Sequence, residues 1–273
     1  MAEPIPVTRP SLPPYAEYCA EIRELWDSRL RTNGGAKHRA LEAALRGYLG
    51  AEHLALLANG HLALENLLQA FDLHGEILTT PFTFASTTQA IVRCGCTPVF
   101  CDVEPETLTL DPEKLEERIT PRTAAILPVH VYGNLCDVEA IGAAAKRHGL
   151  PVIYDAAHAF GVTKAGVSAA CFGDAAMFSF HATKVFHCVE GGLAVCRDEE
   201  TVQRIREQRN FGLRTAEEAA RLGGNAKMSE LAAAMGLCNL RRLEAEIEKR
   251  RLLDARYRAR LGEVPGLRLR PLQ

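Results

Sequence analysis

The sequence predicts an α/β fold, a mainly parallel β-sheet covered by helices. Three observations carry that prediction. Seven short runs between residues 53 and 197 are almost continuously apolar, as strands buried on both faces are. Helical stretches separate several of these runs, and a chain that alternates strand with helix builds a parallel sheet. The 273 residues suffice for one large α/β domain, or for one domain and part of a second.

In chain order, "YCAEIRELWDSRL" has helical periodicity and places Ile22, Leu25, Trp26 and Leu30 on one stripe. "ALEAALRGYLG" reads as a second helix, stopped by Gly50. The strand-like runs are "HLALLA", "EILTTP", "TPVFCDV", "AAILPVHVYG", "PVIYDAAH", "AAMFSFH" and "GGLAVCR". Between them, residues 61–71 and 85–93, "DPEKLEERI" and "DVEAIGAAAKRHG" read as helices. Beyond residue 197 the chain reads as helical, first in "EETVQRIREQRNFG" and then over residues 228–262. A domain boundary is expected near residue 240, and "VPGLRLRPLQ" resembles the opening of a strand. No internal repeat or low-complexity tract interrupts this order.

Composition narrows the function. Charged residues make up 24% of the chain, the apolar set 47%, and the net charge is −2 with no basic block. Neither nucleic acid nor an anionic membrane surface is an expected partner. Residues 1–18 hold several prolines and no apolar core, so no signal peptide is expected, and no run is long enough to span a bilayer. Nine cysteines are scattered without CxxC pairs and nine histidines without metal spacing. They read as residues of a reducing cytoplasm, with no metal site.

Ligands of open parallel sheets collect beyond the carboxyl ends of the strands. Asp155 closes "PVIYD" and His158 follows it; Ser179 lies near the end of "AAMFSF", with Lys184 just beyond. Thr80, Phe82 and Phe84 follow "EILTTP", and "NGHLAL" follows "HLALLA" as a turn into a helix. Such a helix start presents free N–H groups and positive partial charge, which suit a phosphate. Taken singly, each feature has a plainer reading: a strand-to-helix turn, an aspartate cap, a hydrogen-bonded histidine, a surface lysine. As a set they suit a phosphorylated pyridine aldehyde. Pyridoxal phosphate needs an amine for its aldehyde, a carboxylate for its ring nitrogen, donors for its phosphate and an apolar face for its ring.

Five longer stretches carry a family resemblance. "PFTFASTTQAI", "GCTPVFCDVEPETLTLDPEKLEERITPRTAAILPVHVYGN", "VIYDAAHAFG", "FGDAAMFSFHATKVFHCVEGG" and "GGNAKMSELAAAMGL" together resemble the DegT/DnrJ-type sugar aminotransferases. These are fold-type-I pyridoxal-phosphate enzymes that act on nucleotide-linked keto sugars. The resemblance implies that Lys184 bonds the cofactor aldehyde, Asp155 pairs with the pyridine nitrogen and Phe84 stacks on the ring. It implies that His158, where the family often has Gln, approaches the ring hydroxyl. Ser179 and the backbone amides from Gly60 through His61 to Leu62 would bind phosphate. Asn225 would reach the cofactor of the other subunit, making the active unit a homodimer.

Two departures stand out. The phosphate turn commonly continues with threonine, and His61 takes its place here, so a hydroxyl contact is lost and a ring is added. Family members also continue with a C-terminal segment. The resemblance therefore implies a cofactor-binding domain over residues 1–240 and the start of a truncated small domain over 241–273, with cofactor bound better than substrate is turned over. The function implied is amino transfer from a donor, often glutamate in the family, to a nucleotide-linked keto-deoxy sugar. The alternatives are a pyridoxamine-phosphate deoxysugar dehydratase, in which a histidine replaces the lysine, or a non-catalytic dimerising or binding protein.

Overall fold

The computed structural model describes residues 5–270. The chain enters through α1 (Tyr15–Ile22), α2 (Glu24–Ser28) and α3 (Ala36–Leu49). The single helix expected over residues 18–30 is thus divided at Arg23. Arg29 adopts a left-handed conformation (φ 56°) that ends α2 and turns the chain away. The expected stripe is no core stripe: Leu25 is buried, whereas Trp26 is 61% and Leu30 46% exposed.

There follow β1 (His53–Leu57), α4 (Gly60–Ala70), β2 (Glu76–Thr79), α5 (Ala85–Arg93), β3 (Thr97–Phe100), β4 (Thr123–Ile126), α6 (Val138–His148) and β5 (Ile153–Asp155). A small hairpin of β6 (Thr163–Lys164) and β7 (Val167–Ser168) precedes β8 (Ala175–Ser179) and β9 (Gly192–Cys196). Helices α7 (Glu199–Gln208), α8 (Glu230–Leu240) and α9 (Leu243–Leu261) complete the described chain.

Strands pair in the orders β1–β9–β8–β5 and β3–β2–β4, and parallel bridges Ile126 to Val152 and Val129 to Asp155 join the two groups. Strand β9 is antiparallel to both neighbours; the other pairings within these two groups are parallel, and the separate β6–β7 hairpin is antiparallel. The alternation within strands explains the continuous apolar runs. Leu54, Leu56, Tyr154, Phe178, Leu193 and Val195 face one layer with Leu41 and Leu45 of α3. Ala55, Leu57, Ile153, Met177 and Ala194 face the other, against Leu64 and Leu67 of α4 and Ile205 of α7. Both faces are covered, so neither needs polar side chains.

Further expectations are corrected. "DPEKLEERI" forms two single 3₁₀ turns, Pro112–Lys114 and Glu116–Arg118, in which Leu115 is buried in the core and Ile119 packs partly against it. The extended run after β4 stops short, and Tyr132 adopts φ 57° in a tight turn at residues 131–133. The helix expected over 228–262 breaks at Arg241–Arg242 into buried α8 and a largely exposed, ion-paired α9. No strand forms at residues 264–270, and residues 271–273 of the strand-like run lie outside the described residues. Among the described residues, all nine cysteines are free thiols. No helix there is long and apolar enough to cross a membrane.

One long-range contact fixes the α3 start. Gly35 is its N-cap and has no side chain to offer. Glu230, buried at the start of α8, accepts from the N–H groups of Lys37 (2.8 Å) and His38 (3.3 Å) instead. A Cβ on Gly35 would lie 2.6 Å from that carboxyl group. Glu230→Ala is expected to cost about 2–4 kcal/mol, because two helix-start donors would be left buried without a partner. Chemical denaturation checks this, and a loss under about 0.5 kcal/mol would refute the capping role.

Candidate active site

The carboxyl ends of β1, β2, β5 and β8 open onto one cavity of about 840 Å³. Its lining includes Gly60, His61, Phe84, Asp155, His158, Ser179 and Lys184, so the topology gathers most of the expected site from four separate strand ends.

The phosphate-like end is built by α4. Asn59 caps this helix, and its Oδ1 accepts from the Leu62 N–H at 2.9 Å. That contact corrects the expectation for Leu62: its donor is already used, and Leu62 does not line the cavity. Among the described residues, the N–H groups of Gly60 and His61 have no partner. Ser179 lies against Gly60 so closely that a Cβ there would sit 2.8 Å from the Ser179 Cβ. Gly192 is needed for the same turn, since its Cβ would come within 2.2 Å of the Asn59 carbonyl oxygen.

Asp155 is buried at the end of β5. Its Oδ2 accepts from the Thr87 hydroxyl (2.7 Å) and its Oδ1 from the Ala157 N–H (3.1 Å). Thr83 and Thr87 share a further hydroxyl contact at 2.7 Å, so α5 holds the carboxylate from above. Lys184 sits in a turn closed by its N–H to the His181 carbonyl. Burial pushes its ammonium group below the ordinary lysine range, while the Asp155 charge opposes that shift. An amine so placed gives up its proton more readily than a surface lysine.

His158 accepts from the Tyr132 backbone N–H through Nδ1 (3.1 Å). Burial and the nearby Lys184 charge depress its protonation. The neutral ring therefore carries its hydrogen on Nε2. The Tyr132 ring lies parallel to it, with centroids 6.0 Å apart. Phe84 stands 78% exposed at the cavity wall, a free aromatic face. Asn225 does not line this cavity; it follows a loop and bridges Asn210.

The residues fit pyridoxal phosphate. Two unpaired N–H groups, a serine hydroxyl and a helix start suit its phosphate, and the glycine cradle leaves room for it. A buried, doubly hydrogen-bonded carboxylate suits a protonated ring nitrogen. Sequence reasoning missed Asn59, Ser86, Thr87 and Tyr132. Of these, Thr87 left the clearest signal, since it lies one turn after Phe84 at the start of the helix that leads away from the β2 strand end.

The sequence pattern of the DegT/DnrJ/EryC1/StrS aminotransferase family matches residues 15–273. The chain belongs to this family. The aminotransferase is 43% identical over 267 residues to a dTDP-4-amino-4,6-dideoxy-D-glucose transaminase of Shigella dysenteriae, covering 98% of this chain and 73% of that protein. A protein of Escherichia coli with the same name is 41% identical, with 98% and 72% covered. Among solved structures, DesI in the presence of its TDP-sugar product superposes with a TM-score of 0.93 at 38% identity, over 97% of this chain and 68% of that one. Helicobacter pylori PseC, an aminotransferase involved in the biosynthesis of pseudoaminic acid, superposes with a TM-score of 0.90 at 28% identity, over 96% and 72%. The aminotransferase shares the family's cofactor, pyridoxal 5′-phosphate.

Proposed function

We propose that the aminotransferase moves an amino group from glutamate to the keto carbon of a nucleotide-linked deoxy sugar, working as a cytoplasmic homodimer. The observation that carries this is the meeting of the half-buried Lys184 amine and the buried Asp155 carboxylate in one cavity. The transaminase names of the relatives support the sugar-nucleotide substrate.

When bound, pyridoxal phosphate supplies the aldehyde that accepts the amino group and the ring that accepts electron density from the substrate carbon. Lys184 Nζ would hold that aldehyde, and once free it would be the cavity amine available to take up and return a proton at the reacting carbon. Asp155 would pair with the ring nitrogen and favour its protonated form. His158, with its hydrogen on Nε2, would donate to the ring oxygen, and Phe84 would cover the ring. Gly60, His61 and Ser179 hold the phosphate, and Asn225 serves the partner's site. The cofactor contacts fall in residues 1–240, while 241–273 open a second, smaller unit.

Incubation with pyridoxal phosphate, glutamate and the 4-keto precursor of dTDP-4-amino-4,6-dideoxy-D-glucose should give an amino sugar visible by mass spectrometry. A protein that binds cofactor yet aminates no nucleotide-linked keto sugar would refute the substrate class. The shared site has its own test. Mixing Asn225→Ala with Lys184→Ala subunits should restore about a quarter of wild-type activity, because one site of each mixed dimer escapes both lesions. No recovery despite verified subunit exchange would place Asn225 in its own subunit's site, and full activity of Asn225→Ala alone would place it in none.

A further inference from the structure

Beside the phosphate turn stands a chain of polar side chains that the reaction above leaves unused. His61 lies in the first turn of α4, and its Nδ1 is 2.8 Å from Ser86 Oγ in the first turn of α5. Its Nε2 is 3.0 Å from Oε1 of Glu65, one turn further along α4. Glu65 is buried and also paired with Arg93. His61 and Ser86 both line the cavity that contains Ser179, Asp155 and Lys184.

The chemistry of the three groups sets the direction of each hydrogen bond. An ionised carboxylate only accepts, so His61 carries a hydrogen on Nε2 in either charge state. With the ring neutral, Nδ1 is bare and takes the Ser86 hydroxyl hydrogen. With the ring protonated, Nδ1–H donates to Ser86 Oγ, and the serine's own hydrogen is released to another acceptor. The unpaired N–H groups of Gly60 and His61 mark the adjoining cavity wall as a place for an anion.

We propose that Glu65, His61 and Ser86 form a proton-coupled ligand for the cofactor's phosphate. A proton taken from water onto His61 Nδ1 turns the Ser86 hydroxyl away from the imidazole and onto a phosphate oxygen. The hydroxyl that the family resemblance leads one to expect at position 61 is then supplied by position 86. Glu65 steadies the imidazolium, and Arg93 holds Glu65. The inference rests on the assignment of the α4 start to the phosphate.

Other titratable groups meet the same space. Asp155, His158, His181, Lys184 and Glu190 line the cavity. The Cys94 thiol, pushed up to about 12 by burial, donates to the Glu65 carbonyl oxygen and stays neutral. All of these are the same in wild type and in the His61 variants, and those that act on the ring act on pyridoxal too. The difference between wild type and His61→Gln in the ratio of pyridoxal phosphate to pyridoxal affinity therefore isolates the contribution of His61 at the phosphate end.

Dissociation constants for both compounds, measured by absorbance, test the proposal without turnover. Between about pH 6 and about pH 8.5 the wild-type ratio should fall about tenfold more than the ratio for His61→Gln, whose amide does not titrate. Ser86→Ala should lower the ratio at the acidic end about tenfold and flatten its pH dependence, since the donated hydrogen bond is gone. His61→Thr, which brings its own hydroxyl, should keep a high ratio at both ends. Equal pH dependence in wild type and His61→Gln would overturn the relay. Wild-type pH dependence in Ser86→Ala would overturn the role of the serine, and this variant decides alone if His61→Gln does not fold. Failure of the wild type to bind either compound would instead overturn the cofactor site itself.

Discussion

Lys184→Ala should lower amino transfer by about 10⁴-fold or more, because it removes both the nucleophile for the aldehyde and the proton carrier at the reacting carbon. Each role depends on an uncharged amine at some stage, and burial already weakens the hold of Nζ on its third proton. Lys184→Arg should be equally inactive, since a guanidinium stays protonated and attacks nothing. The side chain lines an open cavity, so its loss removes little packing, and the variant should fold. Added methylamine should restore part of the activity by entering the space that Nζ leaves. Borohydride reduction followed by peptide mapping should place the pyridoxyl group of the wild-type protein on Lys184. The other candidates are engaged elsewhere: Lys164 pairs with Glu139, and Lys227 donates to Asn210 and lies 4.5 Å over the Phe211 ring. A label on either of them, or an alanine variant with a tenth of normal turnover, would refute the assignment.

Asp155→Asn should slow turnover about 30- to 1000-fold, corresponding to about 2–4 kcal/mol in the barrier. The amide is nearly the same shape but lacks the negative charge that keeps the ring nitrogen protonated. The local structure should tolerate it. The Asn oxygen can still accept from the Ala157 N–H, and the Thr87 hydroxyl can rotate to accept from the new NH₂ group. Stability should therefore change by less than about 1 kcal/mol. Near-normal turnover would show that Asp155 serves only as the acceptor that closes the turn after β5.

Much of this was legible from local patterning. Continuous apolar runs marked the strands because both faces of this sheet are covered, and that condition acts on every residue of a run. "DVEAIGAAAKRHG" reads as helical and forms α6, whose ends are set by its own neighbours, Asp137 as N-cap and Gly149 as left-handed C-cap. The strand-end rule brought Gly60, Asp155, Ser179 and Lys184 together before any coordinates, since parallel strands share one carboxyl edge.

Other features arise only where distant segments meet. The Ile22–Leu30 stripe had the right period but only Leu25 found a buried position, because periodicity defines a face and not what covers it. Leu62 lost its place as a phosphate donor to the Asn59 side chain, a choice made by one rotamer. Thr87 holds a carboxylate 68 residues away, and Glu230 caps a helix start 193 residues away. His61 reads as a bulky replacement in sequence, yet in space it joins Ser86 to Glu65. The chain's order of residues thus determines its elements and the edge where they converge, since these follow from repeating local interactions. Which donor meets which acceptor at that edge is left to tertiary packing, because a hydrogen bond forms or fails over a few tenths of an ångström.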